Sequence, residues 1–274
     1  MGGGIESLRR GLEILKVLAN AGPSGALELG KISQQIHIKR TTLYRYMSTL
    51  ESLGYVERDN DTRSYRLGSA VLELAAGFLA GKELVLEADA LMWELAIQTR
   101  ETVYLATLDR DSMLYLHKRE PPFPHTHMPA GAGSRRPAYA SSLGKAVLAF
   151  LPEEKVDEVL AYGMPALTPK TPTTPAALKE QLEVVRRRGY ALDMGEQQLH
   201  VRCAGAPIFG YGGRVIGAIS VAGTVETLTD ERLAQIGLQV RETARKISRR
   251  MGGLLYPFQT LVESAEQESS HPKP

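Results

Sequence analysis

The stretch that most constrains this chain runs from Ala26 to Gly68, ALELGKISQQIHIKRTTLYRYMSTLESLGYVERDNDTRSYRLG. It predicts two short amphipathic helices, a tight turn between them and a hairpin behind. The first helix covers about Glu28 to Gln35, with Leu29, Ile32 and Ile36 inward. The second covers Lys39 to Ser52, and Leu43, Met47 and Leu50 form its buried stripe at a 3.6-residue period, widened by Tyr46 and Leu53. The connection through Ile36, His37 and Ile38 is as short as a helix-turn-helix requires. Another face of the second helix carries Thr41, Tyr44, Arg45 and Ser48. Lys39, Arg40 and Thr42 stand at its start, and no acid appears before Glu51. Hydroxyl and guanidinium groups on such a face can reach base edges and phosphates in a major groove. Tyr55 to Arg58, then Asp59-Asn60-Asp61, then Thr62 to Leu67 read as strand, turn and strand. Arg58, Arg63 and Arg66 decorate this hairpin, which has the place of a wing. A solvated basic helix in a protein that binds nothing shows the same pattern, so the rest of the chain must decide.

Charge distribution helps. The formal net charge is only +2 over 274 residues. Residues 1–82 hold 11 Lys and Arg against 8 Asp and Glu, and the remainder holds 22 against 23, so the basic surplus sits with the helix-turn-helix. The length suits two domains. No apolar run approaches the ~20 residues that span a bilayer. Met1 is followed by three glycines and an amphipathic helix, which is not a signal-peptide pattern. The single cysteine, Cys203, excludes an intramolecular disulfide and suits a reducing compartment. A cytoplasmic protein with no membrane partner is expected.

Around the central stretch, Ile5 to Asn20 predicts a helix with Leu8, Leu12, Leu15 and Ala19 inward and Ile14 and Leu18 beside them. Arg9 and Arg10, near its start, can reach phosphates or a neighbouring minor groove, or form a solvated pair. Ser69 to Gly81 is a helix rich in Leu and Ala, and the domain boundary falls near Ala80 to Glu83. A helix over Leu84 to Gln98 buries Leu84, Ala88, Leu91, Leu95 and Gln98. The period then becomes two: Val103 to Leu108 and Met113 to Lys118 are strands about a turn. Glu120 to Gly133 is a loop dense in Pro, Gly and His. Helices follow over Ala140 to Phe150 and Glu153 to Ala161, and Gly163 to Pro175 is irregular. Thr174 caps a helix that starts at Pro175 and ends in Arg186-Arg187-Arg188 before Gly189, so that arginine run serves the helix dipole. Strands over Val201 to Phe209 and Arg214 to Val221 precede a last helix, Asp230 to Met251. Its stripe is Leu233, Ile236, Val240, Ala244, Ile247 and Met251.

The fold class is α+β: a winged helix-turn-helix over residues 1–68, a linker helix over 69–82 and a second domain of strands and helices over 83–263. Residues 264–274 are a polar tail expected to be disordered.

Seven segments, in this order and spacing, resemble the isocitrate-lyase-regulator (IclR) family of bacterial transcription regulators over about Ser7 to Met251. They are SLRRGLEILKVL, IKRTTLYRYMSTLESLGYVER, SYRLG, SSLGKAVLAFL, RRRGYALD, VRCAGAPIF and VIGAISVAG. The resemblance implies a GAF-like effector domain behind the winged helix, no enzymatic activity and no cofactor. It implies dimers or dimers of dimers on palindromic operators of catabolic operons, with small organic or aromatic acids as effectors. Carried over by position, the effector cavity takes Ser142, Leu143 and Gly144 from the turn before the Gly-Lys helix. It takes Asp193 from the strand after Arg-Gly-Tyr, and Val201, Cys203, Ser220 and Ala222 from the paired strands. The loop ahead of the Gly-Lys helix closes it with His125, Met128 and Arg136. The DNA contacts fall to Lys39, Arg40, Thr41, Thr42, Tyr44 and Arg45, with Arg9, Arg10, Arg58 and Arg63 toward the backbone. The chain departs from the family pattern at His37 and His200, where glycines are usual, and at Gly195, where an acid is usual. It departs also at Ala222, usually polar, at Leu143, usually smaller, and at Arg136, usually apolar. Arg136 can clamp a ligand carboxylate with two parallel hydrogen bonds, or it can point to solvent or pair with a nearby acid.

Three rival readings compete. Cys203, His200 and Asp193 could form a nucleophile, base and carboxylate, but His200 and Cys203 fall on opposite strand faces. His125 and His127, with His117 or Glu120, could hold a metal ion. The chain could also bind DNA without any effector.

Overall fold

A computed structural model describes residues 5–21, 25–59, 61–80, 83–125 and 127–253, and the chain divides into two units, Met1–Gly81 and Lys82–Pro274. In the first, α1 (Glu6–Ala19), α2 (Leu29–Ile36) and α3 (Arg40–Ser52) pack over a sheet of β1 (Ala26–Glu28), β2 (Val56–Arg58) and β3 (Ser64–Leu67) in the order β1-β3-β2. Helix α4 (Ala70–Ala80) closes the unit. The core is Ile14, Leu18, Ile32, Ile36, Leu43, Met47, Val56 and Tyr65. Each comes from an apolar position of its own helical or strand period, so the stripes of α2 and α3 are as the sequence indicates.

Three local expectations are corrected. Helix α1 turns Ile14 and Leu18 inward, while Leu8 and Leu12 stand 61% and 51% exposed. Two apolar stripes compete on this helix, and the one with the β-branched Ile14 wins the core. Leu53, beyond the end of α3, is exposed and does not widen its stripe. Ala26–Glu28 is a third strand, antiparallel to β3, and only its last residue, Glu28, falls within the helix expected over Glu28 to Gln35.

His37 explains the turn. It caps α2 in the left-handed conformation, φ 53° and ψ 42°, a position that favours glycine because a Cβ there crowds the following carbonyl. The turn is held by Ile38 N–H on Ser33 O at 3.3 Å and Ser33 Oγ on Ile38 O at 2.6 Å.

The second unit is an antiparallel six-stranded sheet between two helical layers. Its strands are β4 (Thr102–Asp109), β5 (Ser112–Arg119), β6 (Arg135–Pro137), β7 (Ala191–Asp193), β8 (Val201–Phe209) and β9 (Val215–Thr224), in the order β6-β5-β4-β9-β8-β7. Helices α5 (Glu83–Thr99) and α9 (Asp230–Arg250) cover one face, packing on Val103, Leu105, Ala204, Ala206, Ile208, Ile219 and Val221. Helices α6 (Ser142–Leu148), α7 (Glu153–Leu160) and α8 (Pro175–Arg188) gather over the other, with Tyr104, Ala106, Tyr115, Ala218 and Ala222. Strand alternation assigns the two sets. Thr174 caps α8 by accepting from Ala177 N–H at 3.3 Å. On α5, Gln98 is exposed and Thr99 takes the buried place expected of it. The short edge strand β6 was not anticipated. Helix α6 is shorter than read, because a 3-10 turn, Ala138–Ala140, precedes it and Ser141 is its cap. The tail expected over 264–274 lies outside the described residues.

Candidate functional site

In the first unit, Lys39, Arg40, Thr41, Thr42, Tyr44, Arg45 and Ser48 are all exposed on α3 or just before it. No acid pairs with Lys39, Arg40 or Arg45 among the described residues, so their charge faces outward. The Arg40 guanidinium lies over the first turn of α2, where a Cβ on Gly30 would meet its Nη2 at 2.8 Å. On the hairpin, Arg63 is exposed in the turn and Arg58 lies 5.8 Å from the centre of the Tyr65 ring. Arg66 pairs with Glu57 at 3.0 Å. Arg9 and Arg10 are differently placed. Arg9 is paired with Glu6 and Glu13. Arg10 bonds Glu6 at 2.8 Å, Glu13 at 3.1 Å and the Ile36 carbonyl at 3.3 Å. Arg10 thus ties α1 to the end of α2, a structural duty that the sequence did not disclose.

In the second unit, a cavity lies between the sheet and the start of α6. Its floor follows strand register. One row across the sheet is Asp193, Cys203, Ala222; the next holds Gly205, Ser220 and Tyr104. Gly205 is required there, because a Cβ would sit 2.9 Å from the Ser142 carbonyl group. That close approach sets Ser142 and Leu143 over β8. The regular register of the β4–β5 hairpin places Tyr115 opposite Ala106 and so on the cavity side; the bulge follows it, between Ala106 and Leu105. The loop before β6 supplies Met128, Pro129 and Ala130, β6 supplies Arg136, and the turn after β7 supplies Gln197 and Gln198.

Nine residues expected at the effector site therefore line one cavity: Ser142, Leu143, Asp193, Val201, Cys203, Ser220, Ala222, Met128 and Arg136. Gly144 and His125 do not. Gly144 instead sits where a Cβ would collide with the Ala138 backbone. His125 Nδ1 faces the buried Glu101 at 3.0 Å. Sequence reasoning missed Tyr104, Tyr115, Pro129, Ala130, Ser141, Gln197 and Gln198. Both tyrosines were legible as inward positions of alternating strands, Tyr115 two residues after Met113 and opposite Ala106.

The chemistry of the wall is mixed. Burial pushes the Tyr104 and Tyr115 hydroxyls far above the ordinary tyrosine range, against the pull of the Arg136 charge, so both remain donors. Tyr104 uses its hydroxyl on the Ala130 carbonyl at 3.0 Å. Burial likewise pushes the Cys203 thiol up, with Asp193 adding to the rise, which keeps it a thiol and not a thiolate nucleophile. His200 is exposed in the turn ahead of β8. Arg136 Nη1 donates to the Arg135 carbonyl at 3.1 Å, and no carboxylate pairs with it among the described residues.

Asp193 is 1% exposed. Its Oδ1 accepts from Gly195 N–H at 3.0 Å and Glu196 N–H at 2.7 Å. Desolvation raises its pKa from 3.8 to about 6, although Lys145 draws it down. Behind this turn Lys145, 2% exposed, donates to Glu196 and, at 2.8 Å, to Gln181 Oε1. Burial lowers the Lys145 pKa and raises that of Glu196.

The histidines weighed as metal ligands go to separate carboxylates: His117 to Asp89 at 2.6 Å, His125 to Glu101 at 3.0 Å and His127 to Glu120 at 3.6 Å. Among the described residues no three potential ligands converge. No helix among the described residues is long and apolar enough to cross a membrane.

Comparison with known proteins bears on both units. The family model for the IclR helix-turn-helix domain matches residues 7–60. That for the bacterial transcriptional regulator IclR C-terminal matches residues 76–249. The chain is 32% identical over 254 residues to the HTH-type transcriptional regulator KdgR of Escherichia coli, covering 92% of this chain and 96% of that protein. It resembles the crystal structure of Thermotoga maritima IclR with a TM-score of 0.74 at 29% identity, over 91% of this chain and 100% of that one. It also resembles the crystal structure of an IclR homolog complexed with 4-hydroxybenzoate from Microbacterium hydrocarbonoxydans. There the TM-score is 0.77 at 26% identity, over 90% of this chain and 99% of that one. The relatives are transcription regulators and not enzymes.

Proposed function

This protein belongs to the IclR family of DNA-binding bacterial transcriptional regulators, and we propose that a small organic acid, held in the cavity of the second unit, controls its grip on a palindromic operator of a catabolic operon. The observation that carries the ligand half is Arg136: a guanidinium on the wall of a cavity lined also by apolar groups, neutral donors and the buried Asp193 carboxylate, with no acid paired to it among the described residues. Such a wall recognises a carboxylate on an apolar or aromatic body. The complex of a homologue with 4-hydroxybenzoate supports an aromatic acid as one option. The free volume inside is about 30 Å³, enough for water and too small for such a ligand. Binding therefore needs the wall of the cavity to give way.

The experiment is a thermal-shift screen of the full chain against mono- and dicarboxylates and aromatic acids, since a ligand specific to the native state raises the melting temperature. Arg136→Gln is expected to weaken a hit by about tenfold or more, the value of a charge-assisted pair, while leaving DNA affinity without ligand unchanged. Equal binding to both proteins would end the clamp.

On the DNA side, α3 enters the major groove and the hairpin lies beside it. Arg45→Ala is expected to weaken operator binding by about 1–3 kcal/mol if Arg45 reads a base. Binding titrations on operator and scrambled duplexes distinguish the alternative: an equal loss on both assigns Arg45 to phosphate. Two copies bind the palindrome. Leu86, Trp93 and Ile97 support this, because they leave an apolar stripe exposed along α5. Trp93→Glu is expected to yield a smaller species in sedimentation, and an unchanged mass would exclude that stripe as the contact. The protein works in the cytoplasm, where its DNA is.

A further inference from the structure

We propose that the groove between α8 and the edge strand β7 is a second binding site, separate from the effector cavity, for an organic monoanion with a short apolar body, and that Arg188 takes its carboxylate.

Two periodicities build the groove. Gln181, Val184, Val185 and Arg188 recur at i, i+3, i+4 and i+7, which is one face of α8. Leu192 on β7 and Met194 just beyond it alternate with Asp193. That alternation separates the two sites: Asp193 lines the effector cavity, and its neighbours on either side line the groove. Among the described residues the two share no lining side chain. The groove holds about 260 Å³ of free space, against about 30 Å³ in the effector cavity. A cavity of about 150 Å³ already admits benzene, so a molecule of several carbons enters the groove as it stands.

Charge selects the head group. Lys145, Glu196 and Arg188 are the ionisable side chains of the groove among the described residues. Lys145 and Glu196 are buried and satisfy each other, and Lys145 also donates to Gln181 Oε1 at 2.8 Å. Arg188 is the surplus charge. Its Nε donates to the Tyr190 carbonyl at 2.6 Å, and its guanidinium carbon lies 4.6 Å from the centre of the Tyr190 ring. The ring and the carbonyl hold the fork in place. Nη1 and Nη2 have neither a hydrogen bond nor a carboxylate among the described residues. Burial lowers the Arg188 pKa. Burial, with the Arg188 charge adding to it, lowers that of Lys145, so the two cations act on the same space. Two cations against one carboxylate leave one positive charge uncompensated. A carboxylate can accept two parallel hydrogen bonds from the free nitrogens. A second carboxylate on the ligand would be set against Glu196, where like charges repel. Val184, 38% exposed, and the half-buried Leu192 and Met194 offer apolar surface for the body to cover.

The test is calorimetric titration of the full chain with acetate, butyrate, hexanoate, adipate and 1-hexanol. The proteins are the natural one, Arg136→Gln, and Arg136→Gln combined with either Arg188→Gln or Val184→Glu. Arg136→Gln removes the anion anchor of the effector cavity, so binding that survives it reports on the groove. Val184→Glu sets a negative charge beside the ligand while leaving Arg188 and its tyrosine in place. In Arg136→Gln, each methylene buried beyond acetate should tighten binding about fourfold. Hexanoate should therefore bind best, with adipate and 1-hexanol about tenfold or more weaker. Either added substitution should weaken hexanoate about tenfold or more. Hexanoate binding that neither added substitution changes would overturn the second site. Binding by the natural protein that Arg136→Gln alone removes would overturn it too, and would leave the effector cavity standing. Binding of no acid by any of the proteins would likewise overturn it.

Discussion

Lys145→Ala is expected to destabilise the second unit by about 3–5 kcal/mol, the cost of stranding one partner of a buried ion pair. Lys145 and Glu196 are 2% and 6% exposed. Removing the ammonium leaves the Glu196 carboxylate in the interior with no countercharge, and it leaves Gln181 Oε1 without its donor. The pair need not itself be strongly stabilising, because desolvation acts on both charges and shifts both pKa values toward neutrality. The double variant Lys145→Met, Glu196→Gln should therefore lose much less than the single one. Urea denaturation of the three proteins measures this. A loss below about 1 kcal/mol for Lys145→Ala would show that water reaches Glu196 freely. The pair also matters for ligand binding, since it anchors the turn from which Gln197 and Gln198 line the cavity.

Asp193 should impose an opposite, pH-dependent cost. Its pKa is about 6 folded against 3.8 as a free side chain. The folded state thus holds this proton more tightly than the unfolded state. Below about pH 3 both states are protonated and the residue is neutral in its effect. As pH rises the unfolded chain releases the proton first, and stability falls until about pH 6; above that the full cost, about 3 kcal/mol, persists. Asp193→Asn removes the titration. Its new amide adds a pH-independent penalty, so the readout is the difference between the two stability curves. That difference should move by about 3 kcal/mol in favour of the variant between pH 3 and pH 7. Parallel curves would mean that Asp193 is solvated or fully compensated.

What the sequence disclosed follows from the range of the forces involved. The helix-turn-helix was legible because its helices carry their own period and the turn between them is short. Helices α8 and α9 were legible through local caps and stripes; Thr174, Pro175 and Gly189 act within a few residues of themselves. Helix α1 was misread because Leu8, Leu12 and Leu15 form as regular a stripe as Ile14 and Leu18, and only tertiary packing chooses between them. Strand β1 is three residues long and exists through its pairing with β3, a partner about forty residues away. The cavity floor was carried over from the family resemblance, and strand register agrees with it, since Cys203 lies opposite Ala222 and Gly205 opposite Ser220. The Lys145–Glu196 pair spans 51 residues of sequence, and no local pattern marks a lysine for burial. His125 was drawn away from the cavity by Glu101, a buried carboxylate that the sequence alone shows only as one more acid at a helix end.

Effector control requires that a ligand in the cavity change DNA binding. The measurement is selection of duplexes from a random pool by the full chain, followed by anisotropy titrations of the selected and scrambled sequences at fixed salt, with and without an acid that binds. The account predicts an inverted repeat among the selected sequences, bound about a thousandfold or more tightly than the scrambled duplex. It predicts that the acid shifts this affinity by about 5- to 150-fold, and that Arg136→Gln abolishes the shift but not the binding. Equal affinity for selected and scrambled DNA, or a bound acid that leaves operator affinity unchanged, would contradict it.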